Sequence, residues 1–472
     1  MDATYDAVVV GAGPNGLSAA IVLQKHGLNV LLIEGKETIG GGMRTMELTL
    51  PGFKHDVCSA IHPMAAAAPF FKTLPLEEYG LEYIHPLTPA GHPLPDGTVA
   101  SLHRSLSETA DQLGRDRETY INLLKPLVEH WEGLSSDFLS PLKIPSNPIK
   151  LARFGLSALQ PATMLAKKFK ETKTRALWAG MAAHGIQPLT NITTSAIGMV
   201  LMAAGHHVGW PMLKGGSQSL ANALADYFES LGGKIEKGKM ITDFGQIPDA
   251  KMVMFDLSPK NLLKIAGGKF SSLYRWQLNR YRYGMGVFKM DFALSQPIPW
   301  KSKELKGAGT VHLGGTLEDI SNSERLTWEG KYTDNPYVLL AQQSLFDTTR
   351  SPEGFHTGWA YCHVPSGSEV DMSTVIENQI EKYAPGFKET IIGKHTFNTK
   401  EIEDYNPNYI GGDINSGVQD WSQLFTRPAV RISPYRTSNK NIYICSASTP
   451  PGGGVHGMGG YYAAKRAIQD LF

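Results

Sequence analysis

The chain has 472 residues, 45 Lys+Arg against 44 Asp+Glu, a net charge of +1 and 42% hydrophobic residues. At roughly 150 residues per domain this is about three domains' worth of chain with ample core-forming side chains, which excludes disordered and mini-protein classes. The balanced charge lacks the basic excess of nucleic-acid binders, so no nucleic acid is expected as a partner.

The N-terminal segment enters an apolar run directly, Tyr5 to Val10, with no charged leader and cleavage site before it, so no secretory start is expected. The run is bounded by glycine and predicts a buried parallel strand. Gly11, Gly13 and Gly16 then spell G-x-G-x-x-G, and Leu17, Ala20 and Ile21 fall on one face of a helix that Gly27 ends. A second strand, Asn29 to Ile33, leads to Glu34, close to the ~20-residue spacing expected between a glycine turn and a ribose-binding acid. Gly11 permits the turn, Gly13 lets backbone N–H groups reach a pyrophosphate, and Gly16 lets the helix approach the sheet. Strand, turn, helix, strand and acid in that order predict a dinucleotide site.

After Glu34 come "GGGMRT", Gly40 to Thr45, and "PGFKHD", Pro51 to Asp56. Here the sequence resembles the large FAD-dependent family that includes amine oxidases and phytoene desaturases, in which a glycine doublet follows the ribose acid and lines the pyrophosphate. The doublet is Gly40-Gly41. Gly42 stands where that pattern has arginine, with Arg44 two places on. Near the other end, Asn441 to Cys445 predicts a short strand followed by "PPGGGVHGMGG". Gly452, Gly454 and Gly457 again satisfy G-x-G-x-x-G, but an acid ~20 residues on would fall beyond Phe472. The better reading is a helix starting near Gly457 whose N-terminal dipole points at a cofactor already bound by the first motif. The stretch is similar to the C-terminal FAD signature of phytoene-desaturase-like proteins, with His456 an insert in the pattern.

The resemblance implies FAD as cofactor and a set of residues around it. They are Gly11, Gly13, Pro14, Asn15 and Gly16 at the first turn, and Glu34 with Gly35 after the second strand. Gly41, Gly42, Met43 and Arg44 follow in the doublet loop. Ile241 lies in the Met240–Thr242 stretch near the adenine, and Ser446, Gly454, Val455, His456, Gly457 and Met458 in the C-terminal signature. Between the ends, Leu220, Leu224, Tyr227, Phe228 and Leu231 share a helical face, Gly232-Gly233 ends that helix, and Ala250 to Pro259 contains another strand. The expected fold class is therefore α/β, a discontinuous Rossmann-like FAD-binding domain with an interleaved α+β substrate domain. The FAD domain would take 1–70, 214–270 and 435–472; the substrate domain would take 71–213 and 271–434.

The middle of the chain holds most candidate pocket side chains: His184, His206, His207, Lys289, His312, Tyr361 and His363, with His456 from the signature. Lys289, Tyr361, His363 and His456 are taken as catalytic candidates. "GVFKMDFAL", Gly286 to Leu294, alternates, so Lys289 and Asp291 share one face of a strand, where a solvated pair is the plainer reading. "GWAYCHVP" puts Tyr361 and His363 opposite Cys362. No H-E-x-x-H or comparable spacing supports a metal. "NPNYIGGDINSG", Asn406 to Gly417, resembles the phytoene-desaturase-like and pyridine-nucleotide-disulfide-oxidoreductase-domain-2 branch, where an equivalent stretch crosses back toward FAD.

Three widely spaced cysteines, Cys58, Cys362 and Cys445, offer no disulfide framework and suit a reducing, cytoplasmic compartment. The longest apolar run, Ala196 to Gly205, is too short to span a bilayer, which takes ~20 residues. The segment from Lys150 to Arg175 carries Lys150, Arg153, Lys167, Lys168, Lys170, Lys173 and Arg175 against Glu171, with Leu151, Phe154, Leu156, Leu159, Met164, Leu165 and Phe169 between them. It reads either as a solvated basic face or as a peripheral contact with an anionic membrane.

The expected activity is that of an FAD-dependent oxidoreductase removing hydride and proton from a C–C unit of an apolar substrate. The resemblance points to an isoprenoid or related lipid, and oxygen or a quinone is the expected electron acceptor. A flavin amine oxidase using Lys289, a flavin-dependent isomerase and a non-catalytic FAD-bound scaffold are the alternatives.

Overall fold

The computed structural model describes residues 4–143 and 154–472. Lys150, Leu151 and Arg153 of the basic stretch lie outside the described residues.

Four short, largely apolar runs and the polar edge strand Lys234–Glu236 form one parallel sheet, in the spatial order Ile442–Ile444, Ala250–Phe255, Tyr5–Val10, Val30–Ile33, Lys234–Glu236. Ala7 pairs with Met252 on one side and Val30 on the other, and Val253 pairs with Ile442. Such runs are apolar on both faces because helices cover both. Ala7 and Val9 pack with helices Pro14–Lys25, Gln218–Ser230 and Met458–Leu471, while Val8 and Val10 pack with helices Pro259–Ala266 and Ser272–Asn279. Three stretches far apart in sequence therefore build one sheet.

The C-terminal helix closes this unit by touching the N-terminal one backbone to backbone. Gly457, in the left-handed region at φ 67°, turns the chain into the helix Met458–Leu471. A Cβ on Gly460 would sit 1.8 Å from the Asn15 carbonyl oxygen, and one on Gly459 3.0 Å from the Cys445 carbonyl oxygen. Gly460 N–H donates to Asn15 Oδ1 at 3.3 Å. One and two turns on, Ala463, Ala464 and Ala467 are fully buried, so a stripe of small residues keeps the two helices close along their length.

A second sheet of seven strands has the order Ile391–Phe397, Gly286–Leu294, His356–Val364, Val338–Ala341, Ala308–Leu313, Thr88–Pro93, Val99–Leu102. Every pair is antiparallel except Ala308–Leu313 with Thr88–Pro93. Phe288, Met290, Phe292 and Leu294 pack beneath helix Ser373–Tyr383. The opposite face carries Val287, Leu339, Trp359 and Tyr361 and meets helices Arg117–Glu129, Thr172–Ala183 and Thr194–His207.

Strand Gly286–Leu294 is buried at all nine positions, which corrects the expectation of a solvated Lys289–Asp291 pair. Both faces of this strand are covered, so the pair is a buried ion pair. The apolar run Ala196–Gly205 lies in helix Thr194–His207, where Met199, Met202 and Ala203 are core. His206 at its end meets Tyr120 Oη at 2.7 Å, and His207 meets Glu132 at 3.1 Å. Among the described residues no helix is long and apolar enough to cross a membrane. In the basic stretch Arg175 pairs with Glu318 at 2.5 Å, and Leu156, Leu159 and Met164 are exposed.

Gly460→Val forces the two helices apart at a backbone contact that cannot yield by rotamer. It is expected to lower stability by at least about 3 kcal/mol, the upper range for overpacking, read as the shift in urea midpoint at constant slope. A second expectation concerns acid. Burial holds His55 at about 3 and His62, His92, His206 and His456 at about 4, below the ordinary 6.5. As pH falls below 6.5 the unfolded chain takes up these protons first, so their stabilisation is full above 6.5 and is lost as pH falls toward 4. Burial acts in the opposite sense on Asp256, raised to about 7, and Asp291, raised to about 6, which take up protons in the folded state. The five histidines outweigh the two acids, so urea denaturation should show stability falling from pH 6.5 to 4. A flat or rising profile there would contradict the buried, neutral histidines.

Candidate functional site

A cavity of about 510 Å³ runs between the two sheets. At one end it is walled by the carboxyl ends of the parallel strands, where ligands of open α/β sheets bind. Gly11, at φ 100°, turns the chain out of the first strand, and the helix that follows starts at Pro14 with no acidic residue in its first turn. The turn is clamped by Asp256 at the end of the neighbouring strand, which accepts from Gly16 N–H at 2.8 Å through Oδ2. A Cβ on Gly11 would meet the Asp256 carbonyl oxygen at 2.9 Å, and one on Gly13 would meet Asp256 Oδ2 at 2.7 Å. The first two glycines are thus demanded by the adjacent strand, and Gly16 by the turn itself, since its Cβ would lie 1.9 Å from the Gly11 carbonyl oxygen. Burial, helped by the Glu34 charge and opposed by the Gly16 bond, raises the Asp256 carboxyl to about 7.

Glu34 ends the next strand and reaches back to the turn. Its Oε2 accepts from Ala12 N–H at 2.9 Å; its Oε1 accepts from Lys36 N–H at 2.9 Å and from Arg44 Nη2 at 3.1 Å. Arg44 also donates to the Thr38 carbonyl at 2.9 Å and lies over the Tyr405 ring, 5.5 Å from its centroid. Arg44, shifted from the family's arginine position, therefore braces Glu34. The doublet loop leans on the first turn, a Cβ on Gly41 falling 3.1 Å from Gly13 Cα.

Of the sequence-predicted residues, Gly11, Gly13, Pro14, Asn15, Glu34, Gly35, Gly41, Gly42, Arg44, Ile241, Tyr361, Ser446, Gly454 and Val455 line this one cavity. Gly16, Met43, His456, Gly457 and Met458 do not. Met43 and Met458 are core side chains packed under the parallel sheet. Gly457 sits against Ser18 and Phe71. His456 is turned inward: its Nδ1 accepts from Met458 N–H at 3.1 Å, and burial holds it neutral. It serves as a backbone acceptor at the start of the last helix.

The far end of the cavity is walled by Ile61, Met64, Leu201, Trp210, Leu339, Trp359 and Tyr361, with His184 and Thr310 among them. The Trp359 and Tyr361 rings meet edge to face, 5.3 Å apart at 88°. Lys289 is absent from this wall. It borders a void of about 10 Å³ behind Cys58, Trp359, Tyr361 and Tyr409, with its ammonium held by Asp291. His363 is also behind the wall, its Nδ1 2.8 Å from Glu324 Oε2 and its ring 5.6 Å from that of Tyr361. Among the described residues no group of three or more His, Cys, Asp or Glu is arranged to hold a metal ion.

Sequence reasoning missed Asp256, the run Ser59–Met64 and the pair Tyr405 and Tyr409, all of which line the cavity. The signal for Asp256 was present: an acid ending an apolar run, as Glu34 does. Asn408, in the "NPNY" segment, fixes that crossing by accepting from Ser258 N–H at 2.8 Å.

Comparison with known proteins agrees with this geometry. Residues 9–74 match the NAD(P)-binding Rossmann-like domain. Pyridine nucleotide-disulfide oxidoreductase domain-containing protein 2 of Mus musculus is 26% identical, over 99% of this chain and 94% of that protein. A limonene dehydrogenase component of Castellaniella defragrans is 23% identical, over 99% and 95%. A solved putrescine oxidase variant, redesigned in cofactor binding, shares the fold with a TM-score of 0.62 at 16% identity, over 99% and 98%. The chain thus combines a segment that matches a Rossmann-like NAD(P)-binding domain with an amine-oxidase-like fold, and is similar in sequence to proteins named as oxidoreductases and dehydrogenases.

Proposed function

We propose that the chain binds FAD along this cavity and oxidises an apolar isoprenoid- or lipid-like substrate, removing a hydride and a proton to leave a C=C bond. The observation that carries the reading is the continuity of one cavity from the glycine turn and Glu34 to an apolar chamber walled by Leu201, Leu339, Trp210 and Trp359. The residues fit the cofactor. Gly13, Gly41 and Gly42 present backbone where side chains would intrude, the helix beginning at Pro14 offers its positive end to a pyrophosphate, and Glu34 faces the ribose position. Bound FAD supplies hydride acceptance, with oxygen or a quinone as the terminal acceptor.

The chain's own part is to bind, orient and keep water out. Met64, Leu201, Leu339 and Trp210 give an apolar substrate burial worth about 25 cal/mol per Å² and hold its C–H bond in place. Trp359 is fixed by its Nε1–H, which donates to the Asp56 carbonyl at 2.8 Å. Among the described residues no carboxylate lines the chamber end; Glu34 and Asp256 are both at the nucleotide end. The relative named for limonene, an apolar isoprenoid, agrees with such a chamber. An amine oxidase reading would place Lys289 beside the reacting centre, but it stands behind the wall, neutralised by Asp291.

The protein as purified, or after incubation with FAD, should carry about one flavin per chain, read by absorbance and by mass spectrometry of the released cofactor. Gly13→Val should weaken FAD binding by at least about 100-fold, equivalent to about 2.7 kcal/mol. A chain that neither holds nor takes up FAD would end this reading. Limonene added without oxygen should bleach the flavin, whereas putrescine should not; the reverse result would move the assignment to the amine oxidases.

A further inference from the structure

On the outside of the nucleotide half, large apolar side chains stand exposed beside guanidinium groups that no acid neutralises. Helix Ser272–Asn279 turns Tyr274 and Leu278 into the core, where they pack with Ala429, and leaves Leu273 and Trp276 exposed. The stretch after Ala429 runs beside that helix, with the Arg431 guanidinium over the Tyr274 ring, 5.3 Å from its centroid. On either side of Arg431, Val430 is 69% exposed and Ile432 fully so. The short helix Trp421–Leu424 is tied to the residues that follow the first helix. Arg282 donates to Asp420 and to Ser422 Oγ, both at 2.7 Å, and Gln423 Nε2 donates to the Arg282 carbonyl at 2.9 Å. Trp421 and Phe425, about one turn apart, are exposed there. Single exposed apolar residues are ordinary, whereas Leu273, Trp276, Trp421, Phe425, Val430 and Ile432 gathered on neighbouring elements mark an interaction surface.

The charge of this surface has one sign. No Asp or Glu occurs between Asp256 and Asp291, or between Asp420 and Asp470. Asp420 itself is taken by Arg282. Among the described residues Arg275, Arg280 and Arg431 have no carboxylate partner, and all three are exposed. Arg275 donates to Ser272 Oγ, and Arg280 stacks on Trp276, 4.9 Å from the ring centroid. In a chain whose net charge is +1, this is a local basic excess set among aromatic and branched apolar side chains.

We propose that this surface docks the protein on an anionic lipid bilayer, with the Val430–Ile432 loop and the Trp421 turn entering the acyl boundary and the three arginines at the phosphates. The chemistry selects lipid over other occupants. A second copy of the chain seated face to face would set like charges against each other. A folded partner would have to shape separate pockets for side chains that project from a loop and two helices, whereas acyl chains close around any shape. Tryptophan with arginine, an apolar body beside a charge held at headgroup level, is the composition of membrane-interface surfaces, and lipid phosphates supply the negative charge that the chain leaves out.

The surface lies on other elements than the basic stretch 150–175. The segment that carries Trp421 lines the cavity a few residues earlier, at Ile414, Asn415 and Ser416, so one segment joins the docked surface to the cavity wall. Docking does not depend on the oxidation proposed above, but it serves it, because an apolar substrate and a quinone both partition into lipid.

The test sediments the full chain with vesicles of phosphatidylcholine alone and of phosphatidylcholine mixed with phosphatidylglycerol. Binding is expected on the mixed vesicles at low salt, falling as salt screens the arginines. Lipids brominated on the acyl chain should quench the tryptophan fluorescence of the bound protein, and less so in the double variant Trp276→Phe/Trp421→Phe. Arg275→Gln with Arg280→Gln and Arg431→Gln should weaken binding at least about 10-fold, since each basic residue near an anionic surface contributes. Trp421→Ser with Phe425→Ser and Ile432→Ser should do the same through lost apolar burial, at least about 10-fold. All six positions are exposed, so both variants should keep the wild-type urea midpoint. Absence of binding to the mixed vesicles, equal binding to both kinds, or wild-type binding by both triple variants overturns the proposal. So does a wild-type dimer in solution that the serine variant converts to a monomer, which would give this surface to a second copy.

Discussion

The closest approach in the nucleotide half, Gly460 against the Asn15 carbonyl, is the constraint on which the rest depends. It joins the last helix to the first at the turn where the helix Pro14–Lys25 starts. The same turn is gripped from a third stretch by Asp256, at the end of strand Ala250–Phe255. Because Ile442–Ile444 adds to the sheet beside Ala250–Phe255, the chain's two ends and its middle are fastened around one point. Small residues are required there for a physical reason: a side chain on Gly460 would push directly on backbone, and no rotamer relieves that.

Buried charge then fixes how the two sheets face each other. Asp56 pairs with Arg350, accepts from Thr45 Oγ1 at 2.7 Å and from Ser217 N–H at 2.8 Å, and its own carbonyl holds the Trp359 indole at 2.8 Å. Strand Lys54–Asp56, the 217 turn and strand His356–Val364 are thereby tied to one residue, the first two through its carboxylate and the third through its carbonyl. Pairs of this kind add little net stability, because desolvating both ions consumes most of their attraction. Their consequence is geometric: Trp359 is held on the cavity wall, and Lys289, bound to Asp291, is held behind it. An apolar chamber is compatible with so many nearby ions because each is matched outside the lining.

The parts legible in the sequence were those whose signal is local. Glycine spacing followed by a helix and an acid is a property of consecutive residues, and Gly11, Gly13, Glu34 and Arg44 do meet in one cavity. Asp256 carried a local signal, an acid ending an apolar run, but its partnership with Gly16 depends on which strand neighbours the first, and parallel strand order is not written in the runs themselves. Alternation in "GVFKMDFAL" implied one wet face, yet a strand whose sheet is covered by helices on both faces has none. His456 misled because its motif sets the backbone near a cofactor while its ring turns inward. His184 and His312 were legible as pocket candidates, and His184 does line the cavity, but that the two meet at 3.0 Å, with His92 beyond, follows only once helix Thr172–Ala183 crosses the parallel pair of strands.

That crossing has a further consequence for the division of labour. The nucleotide end is built by backbone and by a few carboxylates whose positions follow from the parallel sheet, so it tolerates little change. The chamber end is built by side chains from the second sheet and its helices, Leu201, Trp210, Leu339 and Tyr361, none of which supports the glycine turn. Substitutions among those four alter the volume and polarity offered to a substrate without disturbing the Asn15–Gly460 contact. One protein similar in fold at 16% identity is named for putrescine and one similar in sequence at 23% for limonene, a contrast expected when one end is fixed by backbone and the other is free to vary.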